Sequence, residues 1–207
     1  LGSTAALGSA YSGTISFNGG IFKQGQAKDF SAQFSTANNQ QYKIEILGAS
    51  DGSRSYAAAL TSQGGSLEVV GGNLVLDGAN TYSGATKISA GSLAVNGSLS
   101  NSTAVTVDSG ATFVLGADEE VGSIAGSGNI NLTSFVLTSG GNNSDTTFSG
   151  EISGTGTGAS IALMGRVNET NLHAKLDRCN NSFDPRRCGT RAVISATINT
   201  HGAAAID

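Results

Sequence analysis

Short segments in which apolar and polar residues alternate recur along the first 158 residues of the chain, and each is bounded by Gly, Asn, Asp or Ser. Alternation with a period of two, interrupted by turn-forming residues, predicts β-strands with one buried face. We predict strands at 13–17, 41–47, 66–70, 73–76, 86–88, 92–95, 104–107, 112–115, 129–132 and 135–137.

Helical periodicity is scarce. The best helical candidate is the short segment 55–60 (SYAAAL). The polar segment 22–42 permits a short helix or, equally, a β-hairpin excursion that would cover the open end of a β-sheet core. No segment sustains the 3.6-residue period of a longer amphipathic helix, so we expect an all-β protein.

A repeated phrase, Gly-x-Leu-x-Val/Leu, indicates how the strands are arranged. It occurs at 65–69, 72–76 and 91–95, and related phrases follow at 109–115 and 127–132. After the first pair the echoes are roughly 18 to 26 residues apart, a repeat length typical of one coil of a solenoid. We therefore predict a right-handed parallel β-helix over residues 1–158, with a β-sandwich as the alternative fold.

Residues 74–93, LVLDGANTYSGATKISAGSL, carry a family resemblance. They resemble the autotransporter-associated β-strand repeat, L-x-L-x-G-x-N-x-Y-x-G-x-T-x-[IV]-x-x-G-x-L, and match it at every fixed position. The resemblance is specific over about residues 73–156. It implies a secreted passenger β-helix on a Gram-negative surface, often an adhesin or a self-associating protein, and it implies no catalytic site.

Composition excludes several other classes of protein. The apolar share is 38% with a net charge of −4, which argues against disorder. A sequence pI near 5.1 gives no electrostatic footprint for nucleic acid. No apolar run approaches the roughly 20 residues that a transmembrane helix needs, so we expect no transmembrane segment in this chain.

Residues 159–207 differ from the body of the chain. They hold both cysteines (Cys179 and Cys188), both histidines and the only proline. Three interpretations compete: a cap closed by a Cys179–Cys188 disulfide, a divergent coil with a cationic loop, or non-native sequence that follows a shifted reading frame or a junction. A disulfide across this loop would stabilise the fold by about 2–3 kcal/mol and would fit an oxidising compartment.

Two motifs resemble chemical sites. Residues 48–52 match G-x-S-x-G, the nucleophile turn of serine hydrolases, with Ser50 at the centre. Both histidines lie in the divergent tail and the β/α alternation of that fold is absent, so we interpret 48–52 as a β-turn. Asp118, Glu119 and Glu120 form an acidic cluster without a calcium-loop spacing, and we expect a solvated turn there. We assign no catalytic, cofactor-binding or metal-binding residue.

The sequence therefore predicts a non-enzymatic protein, secreted or on the cell surface of a Gram-negative bacterium. We expect it to mediate adhesion or cell–cell self-association through a rigid face rich in Ser, Thr and Asn. Its partner would be a second copy of itself, or a host or matrix glycan or protein, and not nucleic acid. One alternative is an extracellular fibre subunit joined by β-strand edges or strand exchange; another is a secreted hydrolase or polysaccharide-active β-helix.

Overall fold

A computed structural model describes residues 11–48, 53–155 and 157–163, and the backbone of 193–195. Its strands, in chain order, are β1 Ile21–Gln24, β2 Gln41–Ile46, β3 Ser53–Tyr56, β4 Ser66–Gly71, β5 Asn73–Leu76, β6 Thr86–Ile88, β7 Ser92–Val95, β8 Ala104–Val107, β9 Thr112–Leu115, β10 Glu119–Val121, β11 Ser123–Gly126, β12 Asn129–Asn131, β13 Val136–Ser139, β14 Glu151–Ser153, β15 Ser160–Leu163 and β16 Val193–Ser195. The helical structure in this part of the chain is one 3-10 turn, Ser31–Gln33.

The strands form three parallel sheets that wind around a common core as a β-solenoid of about 7 turns. The first sheet has the order β1-β2-β4-β6-β8-β11, the second β14-β12-β9-β7-β5-β3, and the third β10-β13-β15-β16. Every pairing between these strands is parallel, as a stack of coils requires. The prediction of an all-β parallel solenoid is confirmed, and the β-sandwich alternative, which needs antiparallel sheets, is wrong.

Alternation within each strand produces the core. In β5, β7, β8 and β9 a half-exposed residue is followed by a fully buried one, twice per strand. Because strands of successive coils pair in parallel, each buried residue lies on its counterpart in the next coil. The second sheet builds one such inward column of apolar side chains, Leu74, Leu93, Phe113, Ile130 and Ile152. No coil could bury these side chains alone, so the stack supplies the hydrophobic core.

Asn80 joins three successive coils at one corner. Its side-chain Oδ1 accepts the backbone N–H of Leu60 in the preceding coil at 2.9 Å. Its Nδ2 donates to the carbonyls of Gly78 at 2.7 Å and of Ser98, in the following coil, at 3.0 Å. Asn80 is only 1% exposed, and an amide satisfies this buried corner because it offers both an acceptor and two donors.

The amino-terminal end of the core is covered by aromatic side chains. Six rings pack mainly edge to face, with centroids 4.9 to 6.2 Å apart: Phe17, Phe22, Phe30, Phe34, Tyr42 and Tyr56. The Tyr56 hydroxyl donates to the buried Gln24 Oε1 at 2.6 Å, which satisfies the polar end of that ring. Edge-to-face packing adds to the free energy gained by burial, so this cluster closes the end of the core that no earlier coil covers within the described residues.

Several strand predictions are confirmed nearly residue by residue, and others are wrong. The helical candidate at 55–60 is not a helix, since β3 occupies Ser53–Tyr56 and pairs with β5. The expected strand at 13–17 is reduced to a single bridge between Ile15 and Phe34. The third sheet continues past residue 158 through β15. The division of the chain at that residue stays a prediction.

Gly91 illustrates how closely the coils approach each other. It has a φ of 74°, and a Cβ at this position would overlap the backbone carbonyl of Gly72 in the preceding coil. Gly110 has a similar φ of 81°, but a Cβ there would meet no atom of the described residues within 4 Å. The two glycines therefore separate the effect of the left-handed conformation from that of close packing.

We expect Gly110→Ala to destabilise the fold by about 1–2 kcal/mol, the effect of the left-handed conformation alone. Gly91→Ala should add a further 1–3 kcal/mol or so, because the neighbouring coil must move. Urea unfolding followed by far-UV circular dichroism measures both variants. Equal losses of stability would contradict the close contact between the coils at Gly91.

Candidate functional site

The inward positions of the solenoid are filled by the core, so candidate functional residues lie on its outer faces. The outward positions of the first sheet carry the charged face, defined as Lys23, Lys43, Glu45, Glu68 and Lys87. In register, Lys43 lies beside Glu68 and Glu68 beside Lys87, so opposite charges alternate from coil to coil. This alternation favours one register of the stack over a shifted one, which would bring like charges together.

Ion pairs join the charged face across its coils. Lys23 and Glu45 approach to 2.8 Å, as do Lys43 and Glu68. The Lys43 hydrogen bond holds the pKa of Glu68 below its ordinary value, and Ser89 adds a second hydrogen bond to this carboxylate at 3.0 Å. These side chains are 24 to 58% exposed, so each pair contributes at most about 1 kcal/mol.

The outward positions of the second sheet differ because they carry no charge from β5 to β12. One row is polar, and it runs through Asn73, Ser92, Thr112 and Asn129. The parallel row beside it is mainly aliphatic, and it runs through Val75, Ala94, Val114 and Asn131. We call these two rows together the uncharged face.

The polar row of the uncharged face is ordered along the stack. The Ser92 hydroxyl donates to Asn73 Oδ1 at 2.9 Å, which links side chains 19 residues apart in the chain. At the border of the face, the Asn96 amide donates to Asp77 Oδ1 at 2.7 Å, and Ser55 donates to the other oxygen of Asp77. The side chains of Asn73 and Ser92, and of Asp77 and Asn96 at the border, are thus held in place before any partner arrives, which reduces the entropy lost on binding.

The acidic cluster does not form the solvated turn that the sequence predicted. Strand β10 begins at Glu119, which points inward and is only 4% exposed, whereas Glu120 is half-exposed. Asp118 Oδ1 accepts the backbone N–H of Val136 at 2.9 Å. Strand alternation therefore divides the carboxylates between different sides of the wall, and they do not surround one cation. The sequence carried no signal for this arrangement, because Glu119-Glu120-Val121 does not alternate between polar and apolar residues.

The remaining sequence candidates lie outside the described residues. This applies to Ser50, Cys179 and Cys188, so the turn at 48–52 and the disulfide stay predictions. Within the part of the chain that the structure describes, no three His, Cys, Asp or Glu side chains are grouped so that they could hold a metal ion. The same part contains no helix long and apolar enough to cross a membrane.

Residues 71–95, from the end of β4 through β7, match the family model of the passenger-associated-transport-repeat. Searches of curated proteins and of solved structures gave no significant match. The repeat and the parallel β-solenoid together fit the passenger domain of an autotransporter, as the sequence resemblance implied. The repeat implies a secreted or surface protein of a Gram-negative bacterium.

The charged face allows a direct test of its geometry. Replacement of Lys43 by Met removes the partner of Glu68, so the pKa of Glu68 should rise toward its ordinary value. The lowered pKa of Glu68 stabilises the folded state at pH values above the ordinary pKa of a glutamate. This stabilisation is lost as the pH falls through the lowered pKa. On acidification, Lys43→Met should therefore lose less stability than the unmodified chain does. At neutral pH the free energies of unfolding of the two proteins should differ by less than about 1 kcal/mol.

Carbon-13 NMR of the Glu68 carboxyl measures its pKa in each variant. Lys23→Met is the matched control, since Lys23 pairs with Glu45 and should leave the pKa of Glu68 where it is. If Lys43→Met left that pKa in place as well, the ion pair would not be the main cause of its shift.

Proposed function

We propose that the protein is a non-enzymatic extracellular surface protein that mediates cell–cell self-association through the uncharged face. The passenger repeat at 71–95 supports the surface location. The observation that carries the proposal is the contrast between two sheets of one solenoid. The first sheet displays alternating charges that pair with one another, and the second displays an ordered row of Ser, Thr and Asn beside an aliphatic row.

Charge favours contact between two uncharged faces. The chain carries a net charge of −4, so two copies repel each other weakly at long range. Contact through the uncharged face brings no ionised side chain of β5, β7, β9 or β12 against another. Hydroxyl and amide groups both donate and accept hydrogen bonds, so the polar row is complementary to a second copy of itself, as a two-fold symmetric contact requires.

The dimensions of the face indicate that each contact is weak. Four strands about 4.8 Å apart, three of four residues and one of three at about 3.3 Å per residue, cover roughly 240 Å². A standard stable interface buries about 800 Å² per partner, so one pair of faces falls well short. We therefore expect the isolated chain to be monomeric, and we expect firm attachment only where many copies on two surfaces meet, so that avidity multiplies weak contacts.

The absence of catalysis is part of the proposal, and two features favour it. The outward hydroxyl groups of Ser92 and Thr112 have no histidine beside them in the described part of the chain, since both histidines lie in the tail. A serine or threonine nucleophile needs a neighbouring base to be activated. The uncharged face is also the outward surface of a β-sheet, whereas a substrate site is ordinarily a cleft that buries its ligand.

Bead aggregation tests the proposal. Beads coated with the full chain should clump, because many copies meet at once. The double substitution Ser92→Lys, Thr112→Lys places two like charges on the uncharged face and should reduce clumping at least several-fold at low salt, with partial recovery at high salt.

The matched control is Thr106→Lys, Ala125→Lys, which adds the same charge to outward positions of the first sheet. This variant should clump as the unmodified chain does. Equal loss of clumping in both variants would assign the effect to net charge and would contradict a role for the uncharged face. Binding of coated beads to matrix protein or glycan without any clumping would replace self-association by adhesion to a host partner.

A further inference from the structure

Glu119 is the one carboxyl-bearing side chain among the buried residues of the described core. It is 4% exposed, and the other buried polar side chains are Gln24, Ser31, Gln40, Ser62, Asn80, Thr86, Thr103, Ser123 and Ser139. Ionised carboxylates are rarely buried without a cationic partner, because burial removes the water that stabilises the charge. A carboxyl group in the wall of this solenoid therefore requires an explanation.

The solenoid itself identifies the position that Glu119 occupies. Asn80 Oδ1 accepts the backbone N–H of Leu60, 20 residues earlier in the chain. Glu119 Oε1 accepts the backbone N–H of Leu99, also 20 residues earlier, at 2.9 Å. The bridge between Ala79 and Ser98 places Asn80 and Leu99 at the same corner of adjacent coils. Glu119 therefore stands two coils beyond Asn80 and makes the same contact with the coil before it.

Asn80 and Glu119 differ in the second polar atom of the side chain, which is Nδ2 in Asn80 and Oε2 in Glu119. Asn80 Nδ2 donates two hydrogen bonds to carbonyl oxygens at the corner. Glu119 Oε2 is buried and has no hydrogen-bond partner among the described residues. A carboxylate can only accept hydrogen bonds, whereas a carboxylic acid keeps one acceptor and gains one O–H donor. The neutral acid is thus the form of glutamate that can reproduce the acceptor and the donor of the asparagine.

Among the residues that the structure describes, the groups around Glu119 provide no positive charge to hold a carboxylate. Strand β13, its partner in the third sheet, has the sequence VLTS, and the segment 96–103 that contains Leu99 has no ionisable side chain. Glu120 and Asp118 beside it are acidic. Tyr82, buried in the wall, has its pKa raised chiefly by burial and further by the charge of Glu119. Burial, with a contribution from Glu120, raises the pKa of Glu119 to about 7, although the Leu99 hydrogen bond opposes the shift.

We propose that Glu119 is a neutral carboxylic acid in the folded coil and that its ionisation weakens the stack at this corner, so that the solenoid is a proton-sensitive structure. The inference does not depend on the proposed self-association. An acid whose pKa is raised by folding stabilises the fold fully below its unfolded pKa. This stabilisation is lost as the pH rises through about 7.

The test compares the unfolding of the full chain with that of Glu119→Gln by urea at pH 5 and pH 8. From pH 5 to pH 8 the folding equilibrium constant of the unmodified chain should fall on the order of 50-fold. The amide of Glu119→Gln has the same shape and cannot ionise, so this loss should disappear. Glu151→Gln removes an exposed carboxylate of β14 and should leave the loss unchanged.

Carbon-13 NMR of the unmodified chain provides an independent measurement. The Glu119 carboxyl should titrate with a midpoint near 7, whereas a midpoint below 5 would overturn the proposal. Equal pH dependence in Glu119→Gln and the unmodified chain would also overturn it. If Glu119→Gln fails to fold, the titration of the unmodified chain decides.

Discussion

The parallel stacking of coils in register is the constraint on which the whole structure depends. A single coil has too few residues to bury its own apolar side chains, so each coil is stable only against its neighbours. The backbone ladder sets their separation at about 4.8 Å, and this distance allows only a glycine where Gly91 meets Gly72. Turns, corners and core columns all follow from the requirement that each coil repeat the path of the one before it.

The same constraint separates stability from function. Inward residues such as Leu93 and Phe113 must fit the column above and below them, so they are committed to packing. Outward residues repeat at a fixed spacing without being buried, so each sheet becomes an array of similar groups. On the charged face of the first sheet the array consists of charges that neutralise one another. From β5 to β12 of the second sheet it consists of uncharged groups, which is why we place function there.

Sequence was most informative where the Gly-x-Leu-x-Val/Leu phrase recurs. Segments 73–76 and 92–95 belong to that phrase, and both are strands with the predicted bounds. Strand β11 (SIAG) lies outside that phrase and was missed, and so was β3, which overlaps the alanine-rich helical candidate 55–60. The uncharged face could not be assigned from sequence because its rows exist only once the coils are in register, and a Ser/Thr/Asn-rich composition does not specify that register.

The corner residues show how a repeat tolerates substitution. Asn80 keeps its hydrogen bonds at the corner at any pH near neutrality, because an amide does not titrate there. Glu119 makes the same contact with the preceding coil, but only its neutral form also offers a donor. A wall built from one repeated contact thus acquires a pH dependence through a single side chain, without any change in the path of the backbone. The stack that makes the faces rigid also confines this effect to one coil and its two neighbours, since each coil contacts only those.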